Sequence, residues 1–217
     1  YLAGRGYLVF QPNFRGSGGY GLSFAEAGHH QWGLRMQDDI TDGVKALIAS
    51  GQADPARICI VGASYGGYAA LFGGAQSPDL YKCVVSVAGV SDLNAFMAWE
   101  RKESGKADDP RYINWLGLVG DPAVDKARLT QTSPISFAAT YGPPVLMFHG
   151  DADQNVPVEQ SRKMEAALKK AGRKVRLVIY KGEAHSNWDE DNETGTMADI
   201  AAFLDEHIGP AAARPAS

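Results

Sequence analysis

Residues 57–76 read RICIVGASYGGYAALFGGAQ, in which an apolar β-branched run passes through a tight-turn motif into a run of small residues. The apolar run predicts a strand, and the run of small residues predicts a helix. The turn between them, Gly62–Gly66, fits the pattern G-x-S-x-G, which in a strand–turn–helix setting lifts a serine hydroxyl above the edge of a sheet. We expect Gly62 and Gly66 to be glycines because a Cβ at either position would clash inside the turn. Ser64 is therefore a candidate nucleophile.

Outward from this motif, strand and helix patterns alternate along the chain. Beyond residues 57–76, the patterns predict strands at Tyr7–Gln11, Cys83–Ala88, Val145–His149 and Val175–Tyr180, and helices at Gln37–Ser50, Val158–Ala171 and Thr196–Ile208. Continuous apolar strands alternating with helices are typical of an α/β fold with a mostly parallel sheet flanked by helices. Residues 91–141 interrupt the alternation, and we expect helices and loops over the strand ends there. The tail PAAARPAS at residues 210–217 predicts disorder, so one domain is expected over residues 1–209.

The composition is that of an ordinary globular protein and excludes several classes. Of the 217 residues, 45% are hydrophobic and 21% are charged, which argues against a disordered or fibrous chain. Lys and Arg are scattered and the net charge is −4, so no nucleic-acid partner is predicted. No apolar run approaches the roughly 18 residues of a membrane span, so no membrane partner is predicted. Because the chain opens at Tyr1 rather than Met, we expect a longer protein, and a cytoplasmic or periplasmic location stays open.

The two cysteines carry little information in the sequence alone. Cys59 and Cys83 each lie in an apolar run, which predicts two buried free thiols. Neither has a nearby Cys or His at the spacing of a metal site, so no metal is predicted.

A nucleophilic serine needs a base and an acid that orients the base, and two later strand ends supply both. The fourth predicted strand runs into GDAD, whose second acid is Asp153, and the fifth runs into KGEAH, which ends at His185. Because the carboxyl ends of parallel strands meet at one edge of a sheet, Ser64, Asp153 and His185 can converge there. Ser, Asp, His is also the order in which the three residues follow one another in folds with this kind of strand–turn–helix nucleophile. Asp151 remains a competing acid.

The other histidines fit the role of the base less well. His29 and His30 precede the serine, which breaks the expected order. We interpret His149, at the end of a strand pattern, as a turn anchor. We interpret His207 as part of the solvated face of the last helix.

Four ordered segments extend this pattern: PNFRGSGGYG at 12–21, GASYGGYA at 62–69, HGDADQNVP at 149–157 and GEAHSN at 182–187. Together they resemble the prolyl oligopeptidase family of serine peptidases, with most similarity to its acylaminoacyl-peptidase and dipeptidyl-peptidase-like branches. The resemblance covers nearly all of residues 1–209. It implies an α/β-hydrolase fold with Ser64 as nucleophile, His185 as base and Asp153 as the acid that orients it. It implies no metal and no cofactor.

The resemblance also implies contacts to a short peptide substrate. Asn155 and Val156 follow the acid where the family places residues that line the site, with the Asn directed at a substrate carbonyl. Tyr112 and Trp115, in RYINWLG, match a segment that supplies aromatic walls of the pocket for the residue before the scissile bond. Ordinary core packing is the alternative for these two residues. The backbone N–H of Tyr65 is the expected oxyanion donor.

One departure from the family pattern concerns a strand. The family carries an upstream strand that ends in an HGG-type loop or a Tyr and gives the second oxyanion donor, and no HGG occurs in this sequence. In the α/β-hydrolase sheet that strand lies between the ones predicted at Tyr7–Gln11 and residues 57–63. We therefore expect an N-terminally truncated fold with a gap inside the sheet. The family's upstream β-propeller is also absent, so either the longer protein or a second copy of the chain has to fill the gap.

These expectations define one function and two rivals. The predicted function is a serine peptidase that hydrolyses short peptides through a Ser-His-Asp triad and an acyl-enzyme. A carboxylesterase or a dienelactone-type α/β-hydrolase that acts on small esters is the alternative, because a fold does not decide a substrate. The third hypothesis is a non-enzymatic module that keeps the motifs without a working site. Exopeptidase or endopeptidase action and side-chain preference stay open.

Overall fold

The computed structural model describes residues 1–209, and the tail for which disorder is predicted lies outside them. Its strands are β1 (Cys59–Ala63), β2 (Cys83–Val87), β3 (Val145–Gly150) and β4 (Val175–Tyr180). Its α-helices are α1 (Leu22–Glu26), α2 (Arg35–Ala49), α3 (Tyr65–Gln76), α4 (Leu93–Glu103), α5 (Pro110–Leu118), α6 (Pro122–Gln131), α7 (Glu159–Lys170) and α8 (Glu190–Ile208). Short 3₁₀ helices lie at Ala3–Arg5 and Pro134–Phe137.

The strands form one parallel sheet in the order β1-β2-β3-β4. Parallel neighbours need crossover connections, and the helices between the strands supply them. Helices α3 and α7 pack on one face through residues such as Leu71 and Met164, while α8 packs on the other through Ile200 and Leu204. β3 is buried along its whole length between these layers, which explains its uninterrupted apolar sequence.

The segment between β2 and β3 forms helices α4, α5 and α6, as predicted. Phe96 and Leu129 from these helices join Trp32 and Tyr68 in an aromatic-rich core beside the sheet. α8 begins at Glu190 rather than at the predicted Thr196, because acidic side chains in its first turn favour a helix N-terminus. Over residues 1–209, no helix has both the length and the apolar character that crossing a membrane requires.

The prediction of a strand at Tyr7–Gln11 is wrong. The segment is irregular, and Leu8 and Phe10 are 62% and 42% exposed, because no strand within residues 1–209 lies beside it to pair with. A groove of about 830 Å³ separates it from β1, and β1 is the edge strand of the sheet on that side. The groove lies where a gap inside the sheet is expected, and that expectation stays a prediction.

The prediction of two free thiols is also wrong, because Cys59 and Cys83 form a disulfide. The parallel register of β1 and β2 sets the two residues directly side by side, with their Cα atoms 4.7 Å apart. That separation suits a disulfide. The residues are 24 positions apart in the chain, and local sequence patterns do not reveal the register that makes them neighbours.

The disulfide predicts a redox-dependent stability. Thiol titration of the denatured protein without reductant should find no free thiol, and titration after reduction should find both. Because the bond closes a loop of 24 residues, reduction should lower the free energy of unfolding by about 3 kcal/mol, measured by urea denaturation. The matched control is the double variant Cys59→Ala/Cys83→Ala, whose denaturation curve should not respond to reductant. Two free thiols before reduction would contradict the pairing.

Candidate active site

The turn between β1 and α3 holds Ser64 in an unusual backbone conformation. Its φ of 55° and ψ of −119° lie in a region that residues other than glycine rarely adopt. A Cβ on Gly62 would lie 2.2 Å from the carbonyl oxygen of Gly66, and a Cβ on Gly67 would lie 2.8 Å from that of Val87. The expected reason for Gly66 is wrong, since a Cβ there meets no atom within 4 Å. The turn instead requires residues without a Cβ at positions 62 and 67.

Ser64, His185 and Asp153 form one continuous chain of hydrogen bonds. The Oγ of Ser64 lies 2.9 Å from Nε2 of His185, and Nδ1 of the same ring lies 2.7 Å from Oδ2 of Asp153. The three residues follow β1, β4 and β3, whose parallel carboxyl ends share one edge of the sheet. The competing acid Asp151 faces elsewhere, because its Oδ1 accepts a hydrogen bond from the backbone N–H of Gly182 at 2.6 Å.

The Asp153 carboxylate is buried and surrounded by donors. Its Oδ1 accepts hydrogen bonds from the backbone N–H groups of Asn155 and Val156 at 2.8 and 2.9 Å. Its Oδ2 faces both His185 and Nε2 of His149, the latter at 3.2 Å. Burial alone would raise the pKa of Asp153, but the hydrogen bonds from His149, His185 and the two backbone groups outweigh it. The pKa of this carboxyl is therefore held well below its ordinary range.

This low pKa predicts how stability depends on pH. The unfolded chain takes up a proton at Asp153 near pH ~3.9, whereas the folded carboxylate stays ionised to lower pH. The unfolded state then binds more protons, so the free energy of unfolding should fall with acidification by up to about 1.4 kcal/mol per pH unit from this group. Asp153→Asn should flatten the dependence below about pH 4, measured by urea denaturation across pH. The exposed neighbour variant Asp151→Asn is the control, and equal slopes in the two variants would contradict the assignment.

The N-terminus of α3 lies directly after the nucleophile candidate. Tyr65 is the first residue of the helix, so its backbone N–H has no acceptor within the helix. The partial positive charge of this helix end favours negative charge that develops beside Ser64. The Tyr65 ring packs against Phe14 and Trp32, with centroids 5.2 and 4.6 Å away, which fixes the start of the helix.

The two aromatic residues predicted to form pocket walls lie in different surroundings on α5. Trp115 is half-buried, with its ring centroid 6.1 Å from that of Trp32, which in turn contacts Tyr65. It therefore belongs to the aromatic group beside the nucleophile turn. Tyr112 is 8% exposed, and the Arg101 guanidinium lies over its ring at 5.7 Å. These contacts of Tyr112 fit the packing interpretation.

Sequence reasoning missed an ion pair near the site, in which a buried carboxylate pairs with an exposed guanidinium. Glu100 of α4 is fully buried, and its Oε2 lies 2.8 Å from Nε of Arg111. Burial raises the pKa of Glu100, and the Arg111 guanidinium offsets part of that rise. Arg111 also donates to the carbonyl oxygen of Gln154, the residue after Asp153, at 3.2 Å. The spacing of Glu100 from the apolar face of α4 was the available signal, since it falls one turn after Phe96.

His149 contacts two groups in the loop that follows β3. Its Nε2 lies 2.9 Å from the carbonyl oxygen of Val156, so the residue does anchor the following turn. The same nitrogen also reaches Asp153, a contact that no local pattern predicts.

The arrangement is suited to nucleophilic catalysis. A serine hydroxyl bonded to an imidazole can lose its proton as it attacks an acyl carbon, and a carboxylate on the other ring nitrogen stabilises the imidazolium that forms. Across residues 1–209, no three His, Cys, Asp or Glu side chains are grouped as a metal site requires.

Comparison with known proteins supplies the family. The sequence matches the peptidase S9 model, described as the prolyl oligopeptidase family, over residues 1–211. The chain belongs to the prolyl oligopeptidase family. Within it, the chain is 32% identical to dipeptidyl aminopeptidase BIII of Pseudoxanthomonas mexicana over 215 residues, which are 96% of this chain and 30% of that protein. The chain thus spans about a third or less of the length of the curated relatives that it matches.

Solved structures of prolyl oligopeptidase family members share the fold. A puromycin-hydrolyzing peptidase of Mycobacterium tuberculosis is 30% identical, with a TM-score of 0.81 over 91% of this chain and 29% of its own. An acylaminoacyl peptidase in complex with Z-Gly-Gly-Phe-chloromethyl ketone is 28% identical, with the same TM-score over 91% of this chain and 31% of its own. The fold is the α/β-hydrolase fold, a parallel sheet flanked by helices, as predicted.

Proposed function

We propose that residues 1–209 form the catalytic domain of a serine peptidase that cleaves short peptides through an acyl-enzyme. The observation that carries the proposal is the unbroken hydrogen-bond chain from Ser64 through His185 to Asp153. Family membership supports peptide rather than other acyl substrates. A relative solved with a ligand that contains Gly-Gly-Phe adds to that support.

The proposed reaction is acyl transfer in two halves. Nε2 of His185 takes the hydroxyl proton as Oγ of Ser64 attacks the peptide carbonyl, and Asp153 accepts the hydrogen bond from the Nδ1–H of the imidazolium. The backbone N–H of Tyr65 binds the oxyanion of the tetrahedral intermediate. His185 then returns the proton to the leaving amine, and water releases the acyl group by the same steps.

Four side chains are proposed to shape the substrate site. Asn155 is exposed beside the Asp153 carboxylate, where its amide is free to bond a substrate carbonyl. Trp115, half-buried in the aromatic group next to the nucleophile turn, forms one wall of the pocket. Val156 and Tyr112 are 4% and 8% exposed, and they support the pocket from behind.

We also propose that an extended segment of the longer protein fills the groove beside β1. No strand among the residues that the structure describes pairs with the outer edge of β1, and the groove extends from that edge to the Tyr7–Gln11 segment. A parallel strand placed there would end at the same edge as Ser64, where it can supply the second oxyanion donor. A β-propeller elsewhere in the longer protein is the proposed access-limiting partner, and a second copy of the chain is the alternative occupant of the groove.

The nucleophile is tested by fluorophosphonate labelling of the full-length protein, with peptide mapping. A single adduct is expected on Ser64. The Ser64→Ala variant should lose the adduct and lower peptide p-nitroanilide turnover by at least about 10³-fold. Ser186→Ala, an exposed serine beside His185, is the matched control and should keep both. An adduct elsewhere, or turnover retained in Ser64→Ala, would refute the assignment. Turnover of p-nitrophenyl esters without turnover of peptide anilides would favour the esterase alternative.

The groove is tested by comparing labelling rates of two forms. Residues 1–217 alone should react with the fluorophosphonate about 10²- to 10³-fold more slowly than the full-length protein, because one oxyanion donor is missing. Circular dichroism of both forms checks that the slower one is folded. Equal rates would show that the groove contributes nothing to the oxyanion site.

A further inference from the structure

The buried imidazole of His149 has polar neighbours on both ring nitrogens. Its side chain is fully buried in β3. Nε2 lies 2.9 Å from the carbonyl oxygen of Val156 and 3.2 Å from Oδ2 of Asp153. Nδ1 lies 2.7 Å from Oγ of Ser161 in α7. The ring is therefore locked between the sheet, the loop that carries the acid, and a helix.

These neighbours determine where the proton of the ring lies. A backbone carbonyl and an ionised carboxylate can only accept hydrogen bonds, so Nε2 of His149 carries the proton. Nδ1 of the neutral ring then accepts a hydrogen bond from the Ser161 hydroxyl. One tautomer thus satisfies all three neighbours without placing a positive charge in the interior.

The Nε2–H of His149 meets the same carboxylate oxygen that His185 uses. The backbone groups of Asn155 and Val156 hold the other oxygen, Oδ1, of Asp153. Without His149, Oδ2 of Asp153 would be held by His185 alone in the structure described. The carboxylate could then rotate about Oδ1, which the two backbone N–H groups hold in place. His185 would then lose a fixed acceptor for its Nδ1–H, and the tautomer that presents Nε2 to Ser64 would be less strongly favoured.

We propose that His149 is a positioning residue that holds Oδ2 of Asp153 in line with His185. The role rests on the proposed function, because it acts through the proposed acid and base rather than on substrate. A purely structural role, as anchor of the turn through the Val156 carbonyl, is the competing explanation. Both explanations depend on the Nε2 donor, so they differ in which kinetic constant changes and in whether the hydrogen bond between His185 and Asp153 is weakened.

Two amide variants of similar polarity test the Nε2 donor, and the kinetic constant that changes, together with the state of His185, separates the two roles. In His149→Gln the side-chain N–H can occupy the position of Nε2 and still reach Asp153. In His149→Asn the shorter amide reaches only the position of Nδ1, toward Ser161. His149→Asn should lower kcat for a peptide anilide by about 10- to 100-fold with KM nearly unchanged, by analogy with the loss found when groups that orient metal-bound histidines are removed. His149→Gln should recover most of that loss.

A readout that does not depend on turnover accompanies the kinetics. Proton NMR of residues 1–217 should show a downfield resonance from the His185 Nδ1–H that is bonded to Asp153. The resonance should persist in His149→Gln and broaden or vanish in His149→Asn. Equal behaviour of the two variants in kcat and in this resonance would overturn the proposal, as would a loss carried by KM alone. If Ser64 is not labelled in the wild type, the proposed function fails, while the NMR comparison still decides the role of His149.

Discussion

Parallel pairing of β1 through β4 is the constraint on which the rest of the structure depends. Each strand must be followed by a crossover before the next one can run in the same direction, so residues far apart in the chain arrive at one edge. Ser64 and His185 are separated by 121 positions, yet their side chains lie within hydrogen-bond distance. The loops at this edge can carry polar groups because the helices and buried strands beneath them supply the apolar packing.

A second dependence is electrostatic and centres on the Asp153 carboxylate. Burying a charge is costly unless donors replace the water that it loses. One oxygen of the Asp153 carboxylate accepts hydrogen bonds from two backbone N–H groups, and the other faces two imidazole rings. The folded chain therefore supplies the hydrogen bonds that water would otherwise make to the carboxylate. None of these donors is in place in an unfolded chain, because they come from the turn after β3, from β3 itself and from the loop after β4. The charge state of the acid and the fold of its loop are therefore coupled.

Local sequence patterns were sufficient to predict the helices and strands whose bounds depend on composition and residue spacing alone. The helix at Tyr65–Gln76 and the strand at Val175–Tyr180 have the predicted bounds, because composition and spacing decide both. The residues of the serine-centred site could be chosen from their order and from their positions at strand ends. The patterns failed where strand pairing decides the outcome. The Tyr7–Gln11 segment has the composition of a strand, but no strand in the described part of the chain pairs with it. Cys59 lies beside Cys83 because of the register between β1 and β2. The contact of His149 with Asp153 likewise depends on how a loop folds back over its strand.

The open side of β1 has a consequence for the colloidal behaviour of the domain. Val61 is 39% exposed on this edge strand, and Leu8 and Val9 across the groove are more than half exposed. An unpaired strand edge flanked by apolar side chains is a template on which a foreign strand can add by backbone hydrogen bonding. A segment or a second chain bound in the groove would therefore also protect the sheet from aggregation, because it would cover the edge on which neighbouring molecules could add.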